Sequence, residues 1–179
     1  MYSNDGNRIN RCQPGYGASC SFCCGSHNYA MPREKIEEMF MDRERSGTGR
    51  EILLQESSLE EKLFPDELQC PNVGMQGSEP GLICCLVYQN HDGGEEFESF
   101  FESTCKTFRC PAWTELTDRE VRFAARLMAD WYYYGLLIND IETLQDLCAQ
   151  YESPEDVPED EMEPLRERLI QFFMDEDGK

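Results

Sequence analysis

The longest ordered apolar spacing in the chain begins at Val121. Val121, Ala124, Met128, Trp131, Gly135 and Ile138 recur at intervals of three and four, which is one face of an α-helix. Thr117-Asp-Arg-Glu120 precedes them with the form of a capping box, a hydroxyl at the helix entry and a glutamate three residues on. Ile141, Leu144, Leu147, Cys148 and Tyr151 extend the stripe, with a break expected near Gly135 or at Asn139-Asp140. Ser153 to Pro158 reads as a turn or helix start. Met162, Leu165, Leu169, Phe172 and Phe173 give a last amphipathic helix.

Before Trp113 the pattern is shorter and broken. Ile36, Met39, Phe40 and Arg43 fall at helical spacing between Pro32 and Arg45, and Ser46-Gly-Thr-Gly49 stops that helix. Ile52 to Leu54 is a short apolar run of strand type. Ser58-Leu-Glu-Glu61 matches a second capping box, with Leu59, Leu63 and Phe64 on a short helix that Pro65 ends. Met75 to Gly81 reads as loop, and Leu82 to Tyr88 as the best strand in the chain. Phe97, Phe100 and Phe101 have helical spacing. Residues 1 to 11 form a polar lead-in. Two stretches, Cys12 to His27 and Cys105 to Trp113, show no period at all. The expected fold is mainly α with little β: one domain over residues 1–179, in which an irregular cysteine-rich half (12–113) is braced by amphipathic helices (117–174).

Charge narrows the partners. The chain has 36 acidic and 16 basic side chains, a formal net charge of -20, and a pI near 4.3. Such a protein repels phosphate backbones and anionic bilayers, so direct nucleic-acid or membrane binding is not expected. No apolar run approaches the ~20 residues that cross a bilayer. The first residues have no apolar stretch of signal-peptide type, so a cytoplasmic location is expected. The segment from Tyr151 to Lys179 is rich in Asp and Glu and reads first as solvated surface. A protein partner would engage the helical half or this acidic tail.

Location bears on the ten cysteines. In a reducing compartment they point to metal or redox chemistry rather than a disulfide framework. Cys12, Cys20, Cys23 and Cys24 lie in a loop rich in Gly, Ser and Pro. Cys70, Cys84, Cys85, Cys105 and Cys110 form a later group, and the two groups read as halves of one site. Cys148 lies on the apolar stripe and reads as a small buried hydrophobe. Cys84 and Cys85 are neighbours on a strand, where side chains alternate faces, so only one of them should face a common site. Eight thiols are enough for two tetrahedral sulfur sites, or for one cluster with spares. Cys20-x-x-Cys23 is a chelating spacing, because a tight turn presents two sulfurs to one metal. Metal–sulfur bonds would supply on the order of 10 kcal/mol of folding energy to loops that lack apolar packing.

His27, three residues from Cys24, would complete a coordination sphere or hydrogen-bond a thiolate. His91, in Asn-His-Asp-Gly-Gly, reads as a turn residue. Carboxylates are too numerous to single out a general acid or base, and no catalytic residue is assigned. Ser46-Gly-Thr-Gly49 lacks the Lys-Ser/Thr of a phosphate loop. Trp131-Tyr-Tyr-Tyr134 reads as core and shoulder packing.

Four cysteine motifs, in order, resemble the YkgJ-type cysteine-cluster family, whose members are described as zinc- or iron-chelating domains and which includes flagellin lysine N-methylases. They are Cys20-Ser-Phe-Cys23-Cys24-Gly, Cys70-Pro-Asn-Val, Cys85-Leu-Val-Tyr88 and Cys105-Lys-Thr-Phe108. The resemblance spans roughly residues 12 to 113. Gly25 follows the cysteine pair where the family has a glycine before it, and Lys106 stands where the family tends to have arginine. The resemblance implies a metal site of about eight cysteines, Cys12, Cys20, Cys23, Cys24, Cys70, Cys85, Cys105 and Cys110, with Cys85 rather than Cys84 in the set. It implies zinc first and an iron–sulfur cluster as the alternative, the latter with redox or methyl-transfer-type activity. If the cysteines are kept reduced, thiol counting under denaturing conditions without reductant should find nearly all ten reactive. A count well below that would establish a disulfide scaffold instead.

Overall fold

A computed structural model of the chain describes residues 8–46, 61–77, 81–86, 105 and 107–176. Within them the protein is mainly α, with one two-stranded sheet. The expected strand at 52–54, the helix over 95–103 and the turn at His91 lie outside the described residues. No described helix is long and apolar enough to cross a membrane. The chain falls into two compact units, residues 21–108 and residues 1–20 with 109–179. The division cuts through the cysteine-rich stretch rather than falling at its end.

The unit of residues 21–108 is built on helix α1 (Arg33–Ser46) and an antiparallel pair, β1 (Val73–Gln76) and β2 (Leu82–Cys85). The stripe read from the sequence is the buried face of α1: Ile36, Phe40 and Arg43 are all buried. Arg43 is there because its charge is used. Its guanidinium donates to the Val73 carbonyl (2.9 Å) and the Tyr29 hydroxyl (3.2 Å) and lies over the Phe40 ring. Tyr29 meets Phe40 edge-on at 5.6 Å.

Two expectations fail in this unit. Val73 to Gln76 is a strand, although its glycine and glutamine give it little intrinsic β preference. Pairing decides it: Val73 stands opposite Cys85 and Met75 opposite Ile83. Gly74 leaves room for Leu86, whose side chain would lie 2.5 Å from a Cβ at that position. Leu63 and Phe64, expected on a helix, lie in a turn. The Phe64 N–H is taken by the Asn28 side chain (2.8 Å), the Glu61 carbonyl accepts from Ala30 (2.9 Å), and Pro65 has no N–H to continue a helix.

The other unit is helical: α2 (Pro111–Glu115), α3 (Asp118–Met128), α4 (Tyr132–Asn139), α5 (Ile141–Gln150) and α6 (Glu159–Glu176), with one 3-10 turn at Pro154–Asp156. The capping box at Thr117 and Glu120 is formed in both directions. Val121, Ala124, Met128, Trp131, Tyr134, Ile138, Leu144, Leu165, Leu169 and Phe173 make the core. Cys148 is buried on the same face of α5 as Leu144 and Leu147. The break at Asp140 is present, and its carboxylate caps α5 by accepting from Thr143 (3.1 Å). Gly135, in contrast, is ordinary helix.

A second break, at Ala129, departs from expectation, because alanine is the best helix former. Ala129 takes a left-handed conformation (φ 50°), and the Asp130 carboxylate then starts α4 by accepting from Tyr133 (2.8 Å). Helix α2 is also unexpected, although proline at a first helical position is its signal.

Within the polar lead-in, residues 8–11 are anchored. Arg11 is buried, pairs with Asp118 (2.9 Å) and donates to the carbonyls of Leu116 (2.8 Å) and Ile9 (2.6 Å). Its guanidinium lies over the Trp113 ring at 5.2 Å. Arg8 donates to the Trp113 carbonyl (3.0 Å). These contacts satisfy carbonyls at the end of α2, which a five-residue helix leaves open. Arg11→Ala should therefore destabilise this unit by at least about 2 kcal/mol, because buried carbonyls and half of an ion pair lose their partner. The urea midpoint of the helical signal measures it. A shift equal to that of an exposed arginine would show that the anchor contributes little.

Candidate metal centre

The first cysteine loop is shaped by glycine and by hydrogen bonds. Gly15, Tyr16 and Gly17 have φ of 95°, 60° and 76° in succession, which reverses the chain. Ala18 N–H reaches the Gly15 carbonyl (3.0 Å), and Cys20 N–H reaches the Cys12 carbonyl (2.9 Å). The turn thus sets Cys12 beside Cys20. Cys110 precedes α2 and accepts from Trp113 N–H through its carbonyl (2.9 Å). The three thiols share a neighbour. Tyr134 is fully buried, and its hydroxyl titrates well above the usual tyrosine range. Burial is the main cause, and the charges of Cys20, Cys12 and Cys110 add to it.

In the unit of residues 21–108, Phe22–Cys24 is one turn of 3-10 helix, closed by Gly25 at φ 78°. Gly25 permits a close approach. A Cβ there would stand 1.7 Å from the Leu68 carbonyl oxygen. With hydrogen in its place, Cys70 N–H bonds to the Cys24 carbonyl (2.9 Å), and Val73 N–H bonds to the Cys70 carbonyl (3.2 Å). Val73 pairs with Cys85. One chain of backbone ties therefore links Cys24, Cys70 and Cys85.

The electrostatics trace the same group. The Cys24 thiol is held well above its ordinary range, first by its hydrogen bond to Cys23, then by burial and by the charges of Cys23, Cys70 and Cys85. Cys23 moves down, chiefly because it shares that hydrogen bond with Cys24. Burial pushes Cys70 up to about 11, with Cys85 and Cys105 adding and Arg43 opposing. Cys105 is raised by burial and then by Cys85 and Cys23. Five thiols, Cys23, Cys24, Cys70, Cys85 and Cys105, thus act on one another.

Cys84 points the other way. It pairs with Gly74, its sulfur lies 4.0 Å from the Gln76 side-chain oxygen, and burial pushes it up to about 11. Strand alternation puts Cys85 among the five and leaves Cys84 on the opposite face.

His27 is buried. Its Nδ1 is 3.0 Å from the Ser26 hydroxyl, and its ring is tilted against Phe22 at 5.1 Å. Ala18, Ser19, Ser26, His27 and Asn28 are buried, and the Asn28 side chain spans to the Phe64 carbonyl (3.0 Å).

Thiol donors suit zinc and iron–sulfur clusters. The Cys23 and Cys24 sulfurs are 4.0 Å apart, close to the edge of ~3.8 Å that a tetrahedral zinc with ~2.3 Å bonds requires. Two buried oxygens near Cys70 in sequence, Gln69 Oε1 and Asn72 Oδ1, have no hydrogen-bond partner among the described residues. No two of the ten cysteines are joined in the structure. Among the described residues, no three His, Cys, Asp or Glu side chains already converge in an arrangement that holds a metal. An ion would have to draw the five thiols together. The residues that would hold it are Cys23, Cys24, Cys70, Cys85 and Cys105, and it would supply cross-links between segments that are far apart in sequence. Neither a family model, a curated protein nor a solved structure matches the chain.

Gly25 as a spacer has no signature in the sequence, because its signal is a contact 43 residues away. Gly25→Ala should cost more than about 2 kcal/mol, since it adds a backbone clash to the strain of positive φ. Gly77→Ala has the strain (φ 101°) in open space and should cost about 1 kcal/mol. Urea unfolding of the two variants would separate the clash from the strain. Equal losses would mean that the approach of Cys24 to Cys70 is not tight.

Proposed function

We propose that this chain is a cytoplasmic metal-binding protein in which cysteines hold zinc and the bound metal staples the fold. What supports this reading is the gathering of five thiols, from four separate stretches of sequence, around one locality of a small unit. The hydrogen bond to Cys23 raises the Cys24 pKa most, burial raises those of Cys70 and Cys105, and repulsion from neighbouring thiolates adds to all three. Metal binding relieves that repulsion by replacing protons with a divalent charge. No residue is assigned to catalysis. A protein partner would engage the helical unit or the acid-rich segment 151–179, and the net charge of -20 argues against direct nucleic-acid binding.

The donor set alone serves an iron–sulfur cluster equally well, which would turn the reading toward redox or methyl-transfer chemistry. Elemental analysis and an absorption spectrum on untagged protein, purified without oxygen, distinguish the two. The expected result is about two zinc per chain, one tight and one weaker, and no visible band. Cys70→Ser should lose the tight equivalent and lower the melting temperature together. Iron with acid-labile sulfide would replace zinc in this reading. Protein that holds no metal and takes up none on titration would end it.

A further inference from the structure

The chain holds two Cys-Cys dipeptides, Cys23-Cys24 and Cys84-Cys85, and the fold presents them differently. Cys84 and Cys85 lie on β2, opposite Gly74 and Val73 respectively, so their side chains leave the strand on opposite faces. Cys23 and Cys24 lie on the 3-10 turn Phe22–Cys24, and their sulfurs stand 4.0 Å apart. That turn is held at several points. Cys24 N–H donates to the Ser21 carbonyl (2.9 Å) and Gly25 N–H to the Phe22 carbonyl (2.8 Å). The Cys24 carbonyl accepts from Cys70 N–H (2.9 Å), and Gly25 is wedged against the Leu68 carbonyl. Cys23 is exposed and Cys24 half-buried, so the pair can be reached from solvent.

Adjacent α-carbons lie about 3.8 Å apart across a trans peptide. Disulfides ordinarily begin at about 4.4 Å. The two thiols are therefore badly placed to bond to each other, yet close enough for one atom to bond both. We infer that Cys23 and Cys24 form a chelating dithiol site for trivalent arsenic, a soft acceptor that bonds sulfur covalently. The inference goes beyond the metal-binding reading and does not rest on it. Arsenous acid, As(OH)3, condenses with the two thiols. Two As–O bonds break and two As–S bonds form. Each thiol hydrogen leaves with a hydroxyl as water, the third hydroxyl stays on arsenic, and arsenic remains trivalent. Once Cys23 is attached, the sulfur of Cys24 is already within reach, so the second bond forms within one turn of chain. Cys84 and Cys85 have the same spacing in sequence and lack this geometry.

The probe is phenylarsine oxide, whose arsenic takes two thiols and releases one water. The reduced full-length chain is titrated with it in EDTA, which binds zinc and leaves trivalent arsenic alone. Intact mass and thiol counting should show one phenylarsenic bound and two thiols lost at the first equivalent. Cys23→Ser, at an exposed position, should weaken that equivalent about 100-fold or more, the loss of one arm of a chelate. Cys84→Ala, which breaks the other dipeptide and keeps a small apolar group in its buried place, should leave it unchanged. In concentrated urea the two dipeptides become equivalent, and Cys23→Ser should then retain a tight equivalent on Cys84 and Cys85.

No weakening in folded Cys23→Ser, or equal weakening in Cys84→Ala, overturns the assignment. Zinc bound by wild-type protein without Cys23-dependent uptake of the arsenical ends this inference and leaves the metal-binding reading standing. Uptake on Cys23 and Cys24 by protein that takes no zinc does the reverse.

Discussion

The contact on which the unit of residues 21–108 depends is the approach of Gly25 to Leu68. A glycine in left-handed conformation lets two stretches of backbone meet with no side chain between them. The hydrogen bond from Cys70 to Cys24 forms only because of that approach. From Cys70 the ties run to Val73, and from Val73 across the sheet to Cys85. Segments with little apolar surface of their own thereby acquire defined neighbours. Their thiols are neighbours as a consequence: the hydrogen bond to Cys23 and burial raise Cys24, burial raises Cys70, and the surrounding thiols add to both.

The helical unit solves a similar problem with different means. There the turn bearing Cys12 and Cys20 is fastened by Arg11, which satisfies carbonyls at the end of a helix too short to close its own hydrogen bonds. The burial of Arg11 is tolerable because every arm of its guanidinium is engaged, by an ion pair, by carbonyl acceptors and by the face of Trp113. Arg43 plays the corresponding part in the other unit, between Tyr29, Val73 and Phe40. In both places a buried arginine stands where a larger hydrophobic core would otherwise be needed.

Much of the helical unit is legible in the sequence. Period, capping box and aromatic content point to α3, α5 and α6, because each signal is local and the buried face of a helix repeats every three to four residues. The break at Ala129 is not legible, since nothing in an alanine announces a left-handed turn. Its cue lies one residue on, in the capping carboxylate of Asp130. Strand β1 escapes the sequence for a related reason. Its residues do not favour extended structure, and only the partner strand makes them adopt it.

The candidate site divides in the same way. The sequence by itself determined which residues bring the chemistry: ten cysteines, and an alternation that separates Cys84 from Cys85. Residue type and spacing suffice for that. It did not determine which cysteines stand together. The early and late stretches, read as halves of one site, contribute to both units: Cys12, Cys20 and Cys110 belong to one and Cys23, Cys24, Cys70, Cys85 and Cys105 to the other, so the Cys20-x-x-Cys23 pair read as chelating is divided between them. That grouping was decided by long-range contacts, at Gly25 with Leu68, Arg11 with Leu116 and Tyr134 with Arg11. Such contacts leave no periodic trace, because they join single residues tens to more than a hundred positions apart and exist only once both partners are folded.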